Sequence, residues 1–203
     1  MSLLSENHQL LITTPRLVLQ PPIASDFYVN EYVTAIDESI YQLKPWLPWA
    51  KHVPSCTQAE WYIETCSKNW IEKNNNDLGL VIWIINQTTK ELIGSMTIWN
   101  IVWEIPKFEF GYWLRTSQTG KGYITEAVNA LTRYSFIQMG ANRIEIRCES
   151  GNTRAQYVPQ RLNFTLDGIL KKSTRVISSN ELTDTFLFSR VDLDNLPDLK
   201  VSW

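Results

Sequence analysis

The sequence of 203 residues lacks the features that mark several large classes of protein. No stretch is strongly basic and the formal net charge is −2 at pH 7, so nothing points to a nucleic-acid partner. No run approaches the roughly 20 apolar residues of a membrane helix, and the first residues lack the basic and apolar segments of a signal peptide. We therefore expect a soluble cytoplasmic protein that contacts neither nucleic acid nor membrane.

Histidine and cysteine are scarce. The two histidines, His8 and His52, have no partner at metal-ligand spacing, and the three cysteines, Cys56, Cys66 and Cys148, form no C-x-x-C pair. Metal sites and disulfide frameworks need such residues at short, regular spacings. The sequence therefore predicts no metal site and no disulfide framework.

Tryptophan, by contrast, is abundant. Seven of the nine tryptophans fall between Trp46 and Trp103. Each is either a large core residue or part of the wall of a substrate groove. Trp46 and Trp49 are the best candidates for substrate contact, because the two prolines of K-P-W-L-P-W-A favour a loop there.

Hydrophobic periodicity predicts short helices and strands along the whole chain. Three strands joined by short turns favour an antiparallel meander, and the composition shows no linker, so we predict one α+β domain over residues 1–203. The predicted elements are a strand within 10–22 that contains Arg16, a helix at 25–36, a helix from a capping box of Thr57 and Glu60 to about Asn74, strands at 78–86, 92–103 and 107–114, a helix after Gly122 with Gly140 as C-cap, a strand at 142–149, a helix from an Asn152 N-cap to near Asn163, and a strand pair at 164–175 and 183–193.

The stretch R-T-S-Q-T-G-K-G-Y-I-T-E-A at residues 115–127 places Gly120 and Gly122 at the start of a predicted helix. The first N–H groups of a helix are unpaired, the helix dipole adds partial positive charge, and glycines let an anion approach. The loop is therefore a candidate pyrophosphate cradle, with an ordinary connecting loop as the alternative. It fits neither the Walker pattern nor the Rossmann pattern, because Gly122 follows Lys121 and Thr125 replaces the third glycine.

The segments F-E-F-G-Y-W-L, S-Q-T-G-K-G-Y-I-T-E-A-V, N-R-I-E-I-R-C-E-S-G-N and R-L-N-F resemble the GNAT superfamily of acetyl-CoA-dependent N-acetyltransferases. The chain is most similar to the Rim-type branch, the ribosomal-protein N-terminal acetyltransferases. The segment T-P-R-L-V-L-Q-P resembles the first strand of the family and D-E-S-I-Y-Q-L-K-P-W-L-P-W-A its substrate-side loop. The resemblance implies a mixed, mostly antiparallel sheet of about seven strands flanked by about four helices, acetyl-CoA as cosubstrate, and a homodimer.

The resemblance also implies which residues bind the cofactor. Loop amides would hold the CoA pyrophosphate, and the strand before the loop would pair its backbone with the pantetheine arm. A β-bulge at Gly111 would aim one N–H at the thioester carbonyl. The implied cofactor-binding residues are Tyr112, Trp113, Leu114, Gln118, Thr119, Gly120, Lys121, Gly122, Tyr123, Asn152 and Arg161.

The candidate general base is Glu109, acting directly or through water on the attacking amine, with a solvated strand carboxylate as the alternative. Glu126, in the helix after the loop, is interpreted as structural. Glu38 lies beside the substrate-side loop and is a candidate to hold an amine, together with Trp46 and Trp49. An α-amine has a pKa of about 7.7–8.0 and a lysine amine has a pKa of about 10.4. An α-amine therefore loses its proton more readily and depends less on a general base.

The residues at the positions where the family carries its general acid differ from those of the family. Ala155 stands where Rim-like relatives carry serine, and Pro159 stands where other GNAT proteins carry tyrosine. Tyr157 is the candidate substitute, provided that Pro159 redirects its side chain. Cys148 is interpreted as a buried residue and not as a nucleophile.

These observations leave three functions open. The first is an enzyme that acetylates a primary amine, with a protein N-terminus as one candidate acceptor beside polyamines, amino sugars and amino acids. The second is a GNAT module that binds acetyl-CoA and transfers weakly or not at all, as a sensor or scaffold. The third is a nucleotide-binding domain of another kind.

Overall fold

One mixed sheet organises the chain, which this computed structural model describes at residues 10–72 and 78–203. The sheet order is β1-β2-β3-β4-β5-β6-β8-β7. The described elements are β1 (Ile12–Thr13), β2 (Leu17–Gln20), α1 (Asp26–Leu43), α2 (Cys56–Glu72), β3 (Leu80–Asn86), β4 (Leu92–Val102), β5 (Lys107–Leu114), a 3₁₀ turn (Thr116–Gln118), α3 (Tyr123–Ile137), β6 (Arg143–Glu149), α4 (Thr153–Arg161), β7 (Thr165–Arg175) and β8 (Leu182–Arg190).

The predicted meander is confirmed, since β3, β4 and β5 pair antiparallel in chain order. β5 and β6 run parallel, but they pair only from Lys107 to Glu109 on β5 and from Arg143 to Glu145 on β6. Beyond these pairs, β5 stays bonded to β4 and β6 stays bonded to β8. The two strands therefore separate, and we call the space between residues 110–114 of β5 and residues 146–149 of β6 the strand gap.

Each face of the sheet carries its own hydrophobic cluster. On the α3–α4 face, Phe108 and Phe110 of β5 are buried with Leu131 of α3 and Val158 of α4. On the α1–α2 face, β3 contributes Val81, Trp83 and Ile85, which pack with α1 and α2. Because strand side chains alternate, Glu109 and Trp113 lie on the α1–α2 face and Tyr112 on the α3–α4 face.

The capping box of α2 differs from the prediction. The Ser55 N–H donates to Gln58 Oε1 (2.9 Å), and the Gln58 N–H donates to Ser55 Oγ (3.2 Å). Thr57 and Glu60, which were predicted to cap the helix, lie inside it. The S/T-x-x-E/Q pattern occurs twice, two residues apart, and the helix begins at the first. The predicted end near Asn74 lies outside the described residues.

The first strand and the first helix also differ from their predicted bounds. Arg16 lies in a bend between β1 and β2, where the Leu17 N–H donates to Thr14 Oγ1 (2.9 Å). The break follows from Pro15, which has no N–H to pair. Helix α1 is capped by Ser25 and runs to Leu43, beyond the predicted end. Of the helices described, none is long and apolar enough to cross a membrane.

Candidate functional site

The glycine loop lies where it was predicted, between β5 and α3. Gly120 and Gly122 have φ values of +76° and +78°, a left-handed conformation that residues with a Cβ rarely adopt. A Cβ at Gly120 would meet no atom within 4 Å. The loop therefore leaves open space above its backbone, which a larger side chain would enter.

The N–H groups of residues 120–125 find no acceptor among the described residues. The first α3 amide to bond back is that of Glu126, which donates to Gly122 O (3.1 Å). These free donors converge with the positive end of the α3 dipole. The arrangement can bind an anion such as a pyrophosphate.

Arg16 holds the loop in place, which the sequence analysis missed. Its Nε donates to Glu126 Oε2 (2.6 Å) and its Nη1 to Lys121 O (2.9 Å), while the guanidinium lies 4.5 Å from the Tyr123 ring centroid. Glu126 also accepts from Thr14 Oγ1 (2.6 Å), which confirms its structural role. No local pattern reveals this contact, because Arg16 and Glu126 are 110 positions apart.

Glu38 and Ser39 of α1 hold the other side of the loop. The Glu38 carboxylate accepts from Arg115 Nε (2.6 Å) and the Ser117 N–H (2.6 Å), and Ser39 Oγ accepts from the Thr116 N–H (3.0 Å). Burial raises the pKa of Glu38, but the bonds from Arg115 and Ser117 outweigh it and hold the pKa below its usual value. Glu38 therefore orients the loop, and both of its oxygens are occupied.

Three loop side chains contact the loop itself. Lys121 Nζ donates to Gln118 Oε1 (2.9 Å), and Thr119 Oγ1 donates to Thr116 O (2.9 Å). Lys121 is exposed, so its ammonium stands at the surface beside the free amides. These bonds stiffen the loop without covering its N–H groups.

The edge of β5 that faces the strand gap carries unpaired backbone groups. The Pro106 carbonyl accepts from Asn142 on the β6 side, and the Arg115 N–H donates to the β4 side. Backbone groups alternate along a strand and the β4–β5 register is unbroken here, so even-numbered residues face the gap. Beyond the last β5–β6 pair, the residues that present both N–H and C=O to it are Tyr112 and Leu114.

The predicted bulge at Gly111 is wrong. The pairing of β4 with β5 is regular through Gly111, and its only shift lies between Trp99 and Val102. A Cβ at Gly111 would lie 2.5 Å from Trp99 Nε1. The glycine therefore makes room for the Trp99 indole.

Glu109 stands at the closed end of the strand gap, in the last β5–β6 pair. Its Oε2 accepts from Asn100 Nδ2 (2.8 Å) and lies 3.2 Å from Arg147 Nε. Arg147 also contacts Glu145 (3.3 Å), which pairs with Arg143 (2.7 Å). Glu109 is thus part of a charge network, with its side chain 17% exposed.

Glu149 is a second carboxylate on this face, which the sequence analysis did not single out. No cation of the described residues pairs with it, and burial raises its pKa above the usual value. It lines a cavity of about 280 Å³ together with Arg147, Leu170, Ser173, Thr174 and Thr185. A carboxyl with a raised pKa is better matched to proton transfer near neutral pH.

Trp46 and Trp49 lie in the loop between α1 and α2, as predicted. The Trp49 ring is edge-on to Trp113 at 6.1 Å between centroids. The Trp46 ring comes within 3.4 Å of the position that a Cβ on Gly151 would occupy. The loop therefore reaches from α1 to the turn before α4, whereas Trp83 is a core residue.

Helix α4 forms another wall of the site. Asn152 caps it by accepting from the Ala155 N–H (3.2 Å). Tyr157 is 53% exposed and lies 5.7 Å from the Arg161 guanidinium, so its hydroxyl is not aimed at the strand gap. Arg161 shares a cavity of about 340 Å³ with the N-terminus of α3, lined also by Gly122, Thr125, Glu126, Asn129, Leu162, Pro197, Asp198 and Leu199.

Tyr112 extends from β5 toward α4 on the α3–α4 face. Its hydroxyl donates to the Ala155 carbonyl (2.8 Å). Burial, and then Cys148, raise the pKa of Tyr112 well above its usual value. Burial also raises the pKa of Cys148 to about 12, so this thiol is not a nucleophile near neutral pH.

A strand gap with one open backbone edge, leading to a glycine loop at a helix N-terminus, defines the class of acyl-CoA-dependent acyltransferases. A family model described as "Acetyltransferase (GNAT) domain" matches residues 16–165. The chain therefore belongs to the GNAT acetyltransferases, which use acetyl-CoA as their acetyl donor. Within the described residues, no group of three or more His, Cys, Asp or Glu is arranged to hold a metal ion.

Two relatives illustrate the branch. The "Putative ribosomal N-acetyltransferase YdaF" of Bacillus subtilis is 30% identical over 127 residues, which are 63% of this chain and 67% of the relative. The "Ribosomal-protein-serine acetyltransferase" of Escherichia coli is 27% identical over 163 residues, which are 80% of this chain and 88% of the relative. The Rim-type resemblance is thereby confirmed.

Solved structures share the fold. RimL, the ribosomal L7/L12 α-N-protein acetyltransferase in complex with coenzyme A, superposes with a TM-score of 0.78 at 20% identity over 91% of this chain and 99% of that one. The microcin C7 self-immunity acetyltransferase MccE, in complex with acetyl-CoA and AMP, gives 0.75 at 23% identity over 88% and 93%.

Proposed function

We propose that this acetyltransferase moves the acetyl group of acetyl-CoA to a primary amine by direct attack, and that the acceptor is the N-terminal α-amine of a protein. The observation that carries the proposal is the open β5 edge, which ends at a loop of free amides. The acceptor class is supported by the relatives named as ribosomal-protein acetyltransferases. A homodimer and a cytoplasmic location remain predictions from the sequence.

The free amides of residues 120–123 hold the pyrophosphate of acetyl-CoA, and β5 holds its pantetheine arm. The amides of Gln118 and Thr119, which the resemblance also implies, instead donate to the carbonyls of Arg115 and Thr116. The arm pairs with the gap-facing backbone groups of Tyr112 and Leu114. The Trp113 side chain points to the other face of the sheet, where it packs edge-on against Trp49. Asn152 lies at the start of α4, and Arg161 lies beside the glycine loop. An N–H of the β5 edge stabilises the oxyanion that forms when the amine attacks.

Glu109 is the proposed general base, because it marks the point where the strand gap closes. The amine approaches from the α1–α2 face, past Trp46 and Trp49. An α-amine has a pKa of about 7.7–8.0, so about a tenth of it is neutral at pH 7 and needs little help from a paired carboxylate.

The first experiment measures CoA release from acetyl-CoA with a panel of amines: N-terminal peptides, polyamines, aminoglycosides and free amino acids. Gly120→Val should abolish release, because the new side chain enters the open space and strains a left-handed residue. Gly168→Val is the matched control, since a Cβ there also meets nothing within 4 Å but φ is ordinary. Release with peptides that survives in Gly120→Val would contradict the cradle.

A second candidate is a module that binds acetyl-CoA without efficient transfer. Ala155 and the outward position of Tyr157 favour it, because α4 then offers no proton donor from either position. Saturable acetyl-CoA binding with no CoA release from any amine would support this module over the transferase.

A further inference from the structure

The Glu149 carboxylate differs from every other carboxylate on strands β5 to β8, because no cation of the described residues pairs with it. The others form ion pairs, Glu109 with Arg147, Glu145 with Arg143, Asp167 with Arg143, and Asp184 with Lys171. Burial raises the pKa of Glu149, since the ionised carboxyl loses water and gains no neighbouring charge or hydrogen bond in exchange. A cation that reached this carboxylate would therefore stabilise it.

Glu149 is the last residue of β6 and belongs to the part of that strand that borders the strand gap. Glu109 and Glu145 form the last β5–β6 pair, so their side chains share the α1–α2 face of the sheet. Because side chains alternate along a strand, Arg147 and Glu149 project to the same face as Glu145. In the proposed reaction the amine approaches from this face. The free carboxylate therefore lies on the acceptor side of the gap.

The cavity of about 280 Å³ that Glu149 lines is also lined by the hydroxyl residues Ser173, Thr174 and Thr185. Ser173 Oγ donates to Thr185 Oγ1 (2.8 Å). An ammonium group has three N–H donors and no acceptor, so a carboxylate beside hydroxyl oxygens offers it suitable partners. Pockets that enclose a whole drug-sized ligand measure about 300–1,000 Å³. The smaller cavity suits the amino end of a chain better than a complete aminoglycoside.

Arg147 also lines the cavity, but carboxylates outside the lining already compensate its charge. Its guanidinium nitrogens lie 3.2 Å from Glu109 and 3.3 Å from Glu145. The cavity therefore keeps the negative charge of Glu149. An anionic ligand would be repelled by that carboxylate, whereas a cationic ligand would neutralise it.

We propose that Glu149 binds the amino group of the acceptor as an ammonium ion in this cavity, an inference that rests on the proposed transfer reaction. Glu149 then determines which acceptors bind, because it favours a charged amine over a neutral group of the same shape. Loss of the ammonium proton to the proposed base is a later step. A hydrogen bond to a charged group contributes about 10–100-fold in affinity, so this is the size of the expected effect.

The test measures how tightly the full chain, with CoA bound, binds two ligands at pH 7: the best acceptor of the amine panel and its analogue with a hydroxyl group in place of the reactive amine. CoA in place of acetyl-CoA prevents turnover. We expect the parent to bind the amine about 10–100-fold more tightly than the analogue. In Glu149→Gln the Kd of the amine should rise about 10–100-fold, while that of the analogue stays the same. In turnover, KM for the amine should rise while kcat stays the same.

Glu181→Gln is the matched control and should change neither Kd, because Glu181 is exposed before β8 and does not line the cavity. An unchanged Kd of the amine in Glu149→Gln overturns the inference, and so does an equal loss for the amine and its analogue. A fall in kcat without a rise in KM, or a loss of folding or of CoA binding, also overturns it. In each of these cases CoA release from the parent leaves the proposed function standing. Absence of CoA release from the parent with every amine overturns both.

Discussion

At the scale of single residues, most carboxylates of the site already have cations as partners. Glu38 pairs with Arg115, Glu109 with Arg147 and Glu126 with Arg16. These pairs hold the loop and the strands in position, which limits how freely the same groups can bind an amine. Glu149 differs, because no cation of the described residues pairs with it and burial raises its pKa.

The raised pKa of Glu149 predicts that ionisation of this carboxyl lowers the free energy of unfolding. Its pKa is higher in the folded than in the unfolded chain, so its contribution is favourable below the unfolded pKa and is lost as pH rises through the folded pKa. Glu149→Gln should have a higher free energy of unfolding than the parent at pH 7 and about the same at low pH. Denaturant unfolding at several pH values measures this difference, and a difference independent of pH would contradict it.

At the scale of elements, local chemistry decided where most helices and strands begin and end. Strand β5 has the predicted bounds of residues 107–114, and α4 begins after Asn152 as predicted. Helix α2 shows where local patterns become ambiguous, because two overlapping capping boxes are present and only that of Ser55 and Gln58 forms.

This choice of cap is testable. Ser55→Ala should lower the free energy of unfolding by about 1 kcal/mol, because the Gln58 N–H loses its acceptor. Thr57→Ala is the matched control and should change stability far less, since Thr57 is an exposed residue inside the helix. Equal losses in the two variants, measured by denaturant unfolding, would show that the cap is not set by Ser55.

At the scale of the whole molecule, the glycine loop is held by residues that are distant in sequence. Arg16 reaches it from the bend between β1 and β2, and Glu38 reaches it from α1. The Arg16–Glu126 pair also neutralises a carboxylate in the first turn of α3, close to where a pyrophosphate would bind. The loop thus depends on the assembled fold for both its shape and its charge.

Ligand-induced stabilisation tests this dependence. CoA at 100 times its Kd should add about 2.7 kcal/mol, a rise in melting temperature of about 5–10 °C for a chain of this size. Arg16→Ala should reduce the rise at the same CoA concentration, because Glu126 then repels the pyrophosphate. Arg16→Ala/Glu126→Gln should restore most of it, and a rise that stays small in this double variant would instead indicate direct binding of phosphate by Arg16.

The sequence alone determined the local elements, the glycine loop and the family. Apolar periodicity specifies strands and helices directly, and two glycines before a helix indicate left-handed backbone and free amides. The candidate residues in and around the loop follow from this pattern. The capping box at Thr57 and the bulge at Gly111 were wrong, because a neighbouring cap and the Trp99 indole decided those positions.

The tertiary structure decided what these elements surround. The strand gap exists because β5 and β6 pair over only three residues, a property of neither strand by itself. Arg16 meets Glu126 across 110 positions, and Tyr112 meets Ala155 across 43. Such contacts depend on how distant elements pack, and short-range sequence patterns carry no signal for them. For that reason the sequence named Tyr157 as the proton donor, whereas in the folded chain that side chain is exposed and lies beside Arg161.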